Sequence, residues 1–213
     1  LAITVAGDAS RVHVGYDGRV DTTLRLRDGA VTRIQALLND RSLTPPDQDG
    51  IWIGGQADHV DGLGWFTVVS DQVEAATRAA AESGSSAPAL DFIGGDMKVG
   101  ALAFDNRYFQ NTHLRAQTMN ARPGWRIDFE GPDTQGQVTW TQPTGGNINI
   151  AGNLARLALR TRPSEPATEP VDTSPIIWQD IDPADLPHLD VFVANFEVDD
   201  TDFGQAEVMA RAQ

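Results

Sequence analysis

Apolar and polar residues alternate along this chain with a period of two. Ile3/Val5, Val12/Val14, Leu24/Leu26, Ile127/Phe129, Val138/Trp140 and Ile148/Ile150 each bracket a small or polar residue. Successive side chains of a strand point to opposite faces, so this period predicts half-buried strands with one apolar face. Between the runs stand Tyr16-Asp17-Gly18, Arg27-Asp28-Gly29, Arg122-Pro123-Gly124, Gly131-Pro132-Asp133 and Thr144-Gly145-Gly146. Gly and Asp tolerate positive φ and Pro fixes φ in advance, so these are tight-turn signals. The expected fold class is mainly β: an antiparallel meander of hairpins forming a twisted, groove-like (taco-like) repeat sheet. One stretch departs from the pattern. Ser70-Asp71-Gln72-Val73-Glu74 followed by an Ala-rich run predicts one short helix around 70–82, which Gly84-Ser85-Ser86-Ala87-Pro88 ends. Prolines at 163, 166, 170 and 175 predict a Pro/Glu-rich loop over 162–175, because proline lacks the N–H that a sheet ladder needs.

An internal repeat organises the chain at an offset of 94 residues (198 minus 104). Asp96, Met97, Val99, Leu102, Phe104, Asp105, Phe109, Leu114 and Ala116 fall on Asp190, Val191, Val193, Phe196, Val198, Asp199, Phe203, Val208 and Ala210. The phase slips at the same place in both copies, between Val99 and Leu102 and between Val193 and Phe196, and a bulge there would account for it. Each copy is expected to begin with a hairpin turning at Asp105 or Asp199. Repeats of this kind bury their apolar face only by stacking on neighbours. Three blocks follow: 1–83, a β block ending in the short helix; 84–186, a β repeat unit carrying the Pro/Glu-rich loop; and 187–213, the start of a further unit. The second copy stops in mid-unit and Leu1 already lies in a strand-like run, so the chain reads as a fragment with an exposed strand edge.

The phrase Pro187-His188-Leu189-Asp190-Val191-Phe192-Val193, then Phe196-Glu197-Val198-Asp199-Asp200, then Phe203-Gly204, echoes the copy that opens at Pro88-Ala89-Leu90-Asp91. Asp49-Gly50-Ile51-Trp52-Ile53 and Trp125-Arg126-Ile127-Asp128-Phe129 belong to the same style. In these passages the chain resembles the YhdP family, within the AsmA-like proteins of the Gram-negative envelope. Gln110 stands where Phe203-Gly204 would ask for Gly. The resemblance implies a periplasmic segment of a long protein anchored in the inner membrane outside this stretch. It also implies β units stacked into an apolar groove that carries phospholipid between the inner and outer membranes and maintains the outer-membrane barrier. Adjacent repeats of the parent chain and phospholipid acyl chains would be its partners.

Charge narrows the partners further. Sixteen Lys and Arg against thirty Asp and Glu leave −14, a field that repels phosphate backbones, so no nucleic-acid partner is expected. No window approaches the roughly 20 apolar residues of a membrane helix. There is no cysteine, so disulfides and thiolate chemistry are absent. His13, His59, His113 and His188 lack metal-ligand spacing, and His13 and His113 fall at polar, solvent-suited strand positions. Glu197, Asp199, Asp200 and Asp202 lack the Gly and closing Glu of a calcium loop and read as a solvated hairpin turn. Asp128 and Glu130 alternate onto the polar face of a strand, unlike a hydrolytic pair across a cleft. No nucleophile elbow, phosphate loop or zinc-protease motif occurs. No cofactor, metal or catalytic residue is expected, and the chain reads as a non-enzyme. Five tryptophans (52, 65, 125, 140 and 178) are core or ligand-facing candidates, Trp140 foremost for the groove.

The favoured expectation is an apolar groove lined by Leu102, Phe104, Leu114, Ile127, Phe129, Val138, Trp140, Ile148, Ile150, Phe196 and Val198. The alternatives are a β-sandwich module binding a ligand or carbohydrate (an adhesin), whose two sheets seal on each other, and a purely structural scaffold.

Overall fold

The computed structural model describes residues 2–62, 64, 90–119, 124–141, 147–161 and 187–211. The helix expected at 70–82 and the loop expected at 162–175 lie outside the described residues, as do Trp65 and Trp178. Twelve strands form one sheet: β1 (Ile3–Gly7), β2 (Arg11–Tyr16), β3 (Val20–Arg27), β4 (Ala30–Leu38), β5 (Gly50–Asp61), β6 (Phe92–Phe104), β7 (Arg107–Thr118), β8 (Gly124–Glu130), β9 (Thr134–Thr141), β10 (Asn149–Thr161), β11 (His188–Val198) and β12 (Thr201–Ala210). Their order across the sheet is their order in the chain. β1 and β12 are its edges, so the sheet is not a closed barrel. It runs without interruption across residues 83 and 186, with β5 bonded to β6 and β10 to β11.

Local chemistry accounts for the tight connections. Asp17-Gly18 and Asp28-Gly29 take φ of 49° and 68°, and of 53° and 78°, the paired left-handed conformations that suit a two-residue hairpin between right-twisted strands. Most neighbours are antiparallel, as the alternation predicts. Three pairs, β4–β5, β5–β6 and β10–β11, are parallel. Parallel neighbours need a crossover that re-enters at the starting end, and alternation along each strand carries no information about which neighbour it meets. The sheet is therefore mixed.

The repeat survives at the level of register. Partners in the β6–β7 hairpin, such as Met97↔Leu114, Val99↔Thr112 and Phe104↔Arg107, reappear 94 residues later as Val191↔Val208, Val193↔Ala206 and Val198↔Thr201. Both hairpins turn on a left-handed aspartate, Asp105 at φ 54° and Asp199 at φ 50°. The phase slip keeps both apolar sets on one face only if the backbone turns between them. In the second copy register shifts between Val193 and Phe196 take this turn, and β10 shifts beside them between Leu154 and Arg156. The first copy differs from the expected bulge. Its register is continuous, pairing lapses at Gly100 opposite Asn111, and Asn111 turns the strand at φ 45°. Gly204, at φ 71°, does the corresponding work one position earlier in its copy, which is why Gln110 need not be glycine.

The β8–β9 hairpin is a short insert. Past its tip β7 and β10 pair directly, Tyr108 with Arg160 and Arg107 with Thr161. Asp133, at the hairpin end and only 3% exposed, fills the junction. Its carboxylate accepts the Gln110 N–H of β7 at 2.9 Å and the Arg160 Nε–H of β10 at 2.8 Å, while its carbonyl accepts the Ala158 N–H at 2.6 Å. A hairpin tip wedged between two strands strips water from both, and Asp133 supplies the acceptors that water would have provided.

Candidate functional site

Paired residues in a ladder share a face, so the registers can be followed from strand to strand. One row runs Ile3, Tyr16, Val20, Leu38, Gly55, Met97, Leu114, Phe129, Gly136, Leu154, Val193, Ala206. Two residues along each strand, a second runs Val5, Val14, Thr22, Ala36, Ile53, Gly95, Ala116, Ile127, Val138, Gly152, Val191, Val208. A third runs Gly7, Val12, Leu24, Ile34, Ile51, Phe92 and, beyond β7, Trp125, Trp140, Ile150, Leu189, Ala210. Phe92 joins Trp125 by ring stacking at 5.3 Å, and β7 contributes Thr118 opposite Trp125. Thr22 and Thr118 aside, every member of this face is apolar, aromatic or glycine.

The other face is polar. Asp96, Arg115, Asp128, Gln137 and Asn153 form one row, and His13, Thr23, Gln35 and Trp52 lie in another. Arg115 pairs with Glu130 at 3.3 Å, and Gln137 donates to Asp128 at 2.9 Å. Asp128 and Glu130 thus serve surface pairing on the polar side, as the alternation predicts. His13 is exposed and meets the Thr23 hydroxyl at 3.0 Å. His113 departs from the exposed placement expected of it. It is half-buried, with Nε2 2.5 Å from Asp96. Alternation places it on the polar face but does not show the diagonal contact with Asp96, since its ladder partners are Lys98 and Glu130. Among the described residues no three His, Asp or Glu side chains gather as a metal site.

The β4–β5 crossover also lies on the polar side. Gln35 donates to the Pro46 carbonyl at 3.1 Å, and Arg33 pairs with Asp47. The Trp52 ring lies over Gly54 beside Leu43, and a Cβ at Gly54 would stand 2.2 Å from it. Trp52 is therefore a buried residue of this smaller polar-side cluster and not of the apolar face. Asp47 is held below the usual carboxylate range by its hydrogen bond from Arg33, then by the charges of Arg33 and Arg25.

Burial separates the apolar face from an ordinary core. Its members Ile127, Val138, Phe129, Leu114, Trp125, Trp140 and Ile150 are half-buried and Val5 and Val208 at the two edges are 67% and 51% exposed, whereas Leu154 and Val193, on β10 and β11, are buried at 5% and 3%. All twelve strands belong to one sheet, so among the described residues no second sheet seals this face, as a β-sandwich would require. Of the groove candidates, Leu114, Ile127, Phe129, Val138, Trp140 and Ile150 fall in the three rows. Ile148 stands just before β10 and accepts the His188 N–H through its carbonyl. Leu102, Phe104, Phe196 and Val198 lie past the phase slip: Leu102 is 2% exposed, and Phe104 is 39% exposed with its ring edge-on to Phe109 at 6.2 Å. Phe196 packs on Phe203 at 5.9 Å. The acidic cluster resolves into local duties. Asp199 accepts the Thr161 N–H, Glu197 pairs with Arg156, and Asp202 accepts the Gly204 N–H. Sequence reasoning missed the members contributed by β4, β5 and the Gly positions, since Ala36, Gly55, Gly95, Gly136 and Gly152 become part of an apolar row only once register is known.

Comparison with curated proteins and with solved structures finds no match. Comparison with protein families matches the family described as YhdP protein over residues 1–213. The described residues form a single repeat sheet that is not a closed barrel, the family model matches the whole length, and the chain belongs to the YhdP family, whose members are envelope proteins.

Proposed function

We propose that this chain is a periplasmic segment whose apolar sheet face carries phospholipid acyl chains between the inner and outer membranes, as part of a parent protein anchored in the inner membrane. One observation carries the reading: three apolar rows cross the whole sheet on a single face, most of whose members are half-exposed among the described residues. Hydrocarbon over this face gains about 25 cal/mol per Å² of apolar area removed from water. The attraction has no direction, so chains slide along the rows with little barrier. The β4–β5 crossover packs on the polar side and not on the oily one, and the family is generally one of non-catalytic transport proteins. Head groups stay in water, and no bond is made or broken by the sheet.

The test is photo-cross-linking in the intact envelope protein. A benzophenone side chain at Ile127 or Val138 should yield phospholipid adducts detectable by mass spectrometry. The same group at Arg126 or Thr139, the adjacent residues on the opposite face, should yield few. Equal labelling of the two faces, or no lipid adduct at either, would sink the reading.

A further inference from the structure

We propose that the row of Arg11, Arg25 and Arg33, on the polar side of β2, β3 and β4, is a phosphate-binding site, in which a phosphate group bridges Arg11 and Arg25 as the Asp47 carboxylate bridges Arg25 and Arg33. The site lies on the face opposite the apolar rows. It goes beyond the lipid-carrying reading and does not depend on it.

The three arginines are direct ladder partners, Arg11 with Arg25 and Arg25 with Arg33. Arg27 stands two residues further along β3 on the same side. Like charges directly opposite one another across a ladder are destabilising, so such a row calls for anions between its members. Between β3 and β4 the crossover supplies them. One oxygen of the Asp47 carboxylate takes both Arg25, at 3.2 Å, and Arg33, and Asp49 takes Arg27 at 3.2 Å. Even so, this half of the row is short of acceptors. Arg33, whose side chain is 8% exposed, keeps a buried Nε–H with no hydrogen-bond partner among the described residues.

Between β2 and β3 no carboxylate does the same. The Arg11 side chain makes no ion pair or hydrogen bond among the described residues. Asp8 lies near enough to feel its charge, but the Asp8 carboxylate is engaged by the N–H groups of Ser10 and Arg11 and by the Ser10 hydroxyl. Four guanidiniums therefore stand together with two carboxylates in contact, Asp47 and Asp49, in a chain that carries −14 overall. That wider field is screened within about 8–10 Å at physiological salt, so what an anion meets here is the local excess of positive charge. A guanidinium presents its N–H donors as a planar fork, and Arg25 spends only part of its fork on Asp47. A terminal phosphate brings three acceptor oxygens and about 1.5–2 negative charges, enough to answer Arg11 and the remainder of Arg25 together. Arg11 is exposed and the Arg25 side chain is 34% exposed, so the ligand reaches both from solvent.

Arginine Nε–H resonances of the full chain, assigned with Arg11→Gln and Arg25→Gln, test this. Inorganic phosphate added at constant ionic strength should shift the Arg11 and Arg25 signals to saturation in the millimolar range, and sodium chloride should not. Arg11→Gln should weaken phosphate binding about fivefold or more, and Arg11→Lys, which keeps the charge but not the fork, should weaken it less. Asp47→Asn, which releases Arg25 and Arg33, should tighten binding about threefold or more, with circular dichroism checking that the sheet persists. A soluble short-chain phosphatidic acid is then read at the same signals. Binding about tenfold tighter than inorganic phosphate makes the ligand a lipid headgroup, and comparable or weaker binding makes it a free phosphate; either result supports the site. Signals that move no further in phosphate than in chloride overturn it. So does an Arg11→Gln chain that binds as tightly as the unsubstituted one, or an Asp47→Asn chain that keeps its sheet and binds no tighter. Should Asp47→Asn lose its sheet, the two Arg11 variants decide alone.

Discussion

Individual polar residues hold the places where the ladder is interrupted. Asp133 is the clearest case. Asp133→Ala removes the acceptor of the Gln110 N–H and the nearest carboxylate of the half-buried Arg160. A lost buried, charge-assisted contact of this kind costs about 2–3 kcal/mol, read as a lower urea midpoint. Asp200→Ala, whose fully exposed carboxylate lies 3.7 Å from the same guanidinium, should leave the midpoint unchanged. Asp199 shows how such contacts depend on pH. The Thr161 N–H, the Thr161 hydroxyl and the Arg107 charge hold its carboxyl below the usual range. Its folded pKa is thus lower than its unfolded one, so its stabilisation is complete above the unfolded value, about 3.9, and is lost as pH falls through the folded value. Urea midpoints followed downward from about pH 5 should decline, and Asp199→Asn should flatten the decline. An unaltered slope would mean that the contact contributes nothing in solution.

Elements were legible where a pattern of period two suffices and illegible where a partner had to be known. Ile127, Phe129, Val138 and Trp140 could be assigned to one side because each lies on a strand of unbroken alternation. Parallel junctions such as β5–β6 could not, because Ile53 and Gly95 meet only through a crossover that alternation does not encode. The repeat was visible because both copies conserve the spacing around an aspartate turn, whereas the means of the phase slip was not. The phrase of the second copy asks for Gly where Gln110 stands, and the left-handed residue of the first copy is Asn111. Asparagine tolerates that conformation through its short polar side chain, and a β-branched residue does not. Asn111→Val and Gly204→Val should therefore each cost about 1–2 kcal/mol, while Asn111→Gly should be close to neutral. No neighbour lies within 4 Å of a Cβ built on Gly204, so its cost is conformational and not steric. Chemical unfolding of the three variants checks this, and a similar loss for all three would mean that the side chain of Asn111, not its φ, matters.

For the whole molecule, an oily face that no second sheet covers among the described residues, and two edge strands each paired on one side only, are consequences of building in one layer. Ile127→Asp places a charge in the middle of the face. Because Ile127 is only half-buried, the variant should stay folded by circular dichroism while retaining severalfold less phospholipid by mass spectrometry. Normal lipid retention would count against the face as the carrier. The edges carry Ile3 at 63% and Val208 at 51% exposure on strands with one open side, an arrangement that templates association. Sedimentation should show the isolated chain associating with rising concentration, and Ile3→Lys with Val208→Lys should shift it toward monomer. The short β8–β9 hairpin has a further effect at this scale. Neighbouring strands sit about 4.8 Å apart, so the two additional strands make the sheet roughly 10 Å broader on one side of the hairpin tip than on the other. A surface of unequal widths opens like a hand fan, and a hydrocarbon cargo carried along it, as proposed, would veer as it passes Asp133.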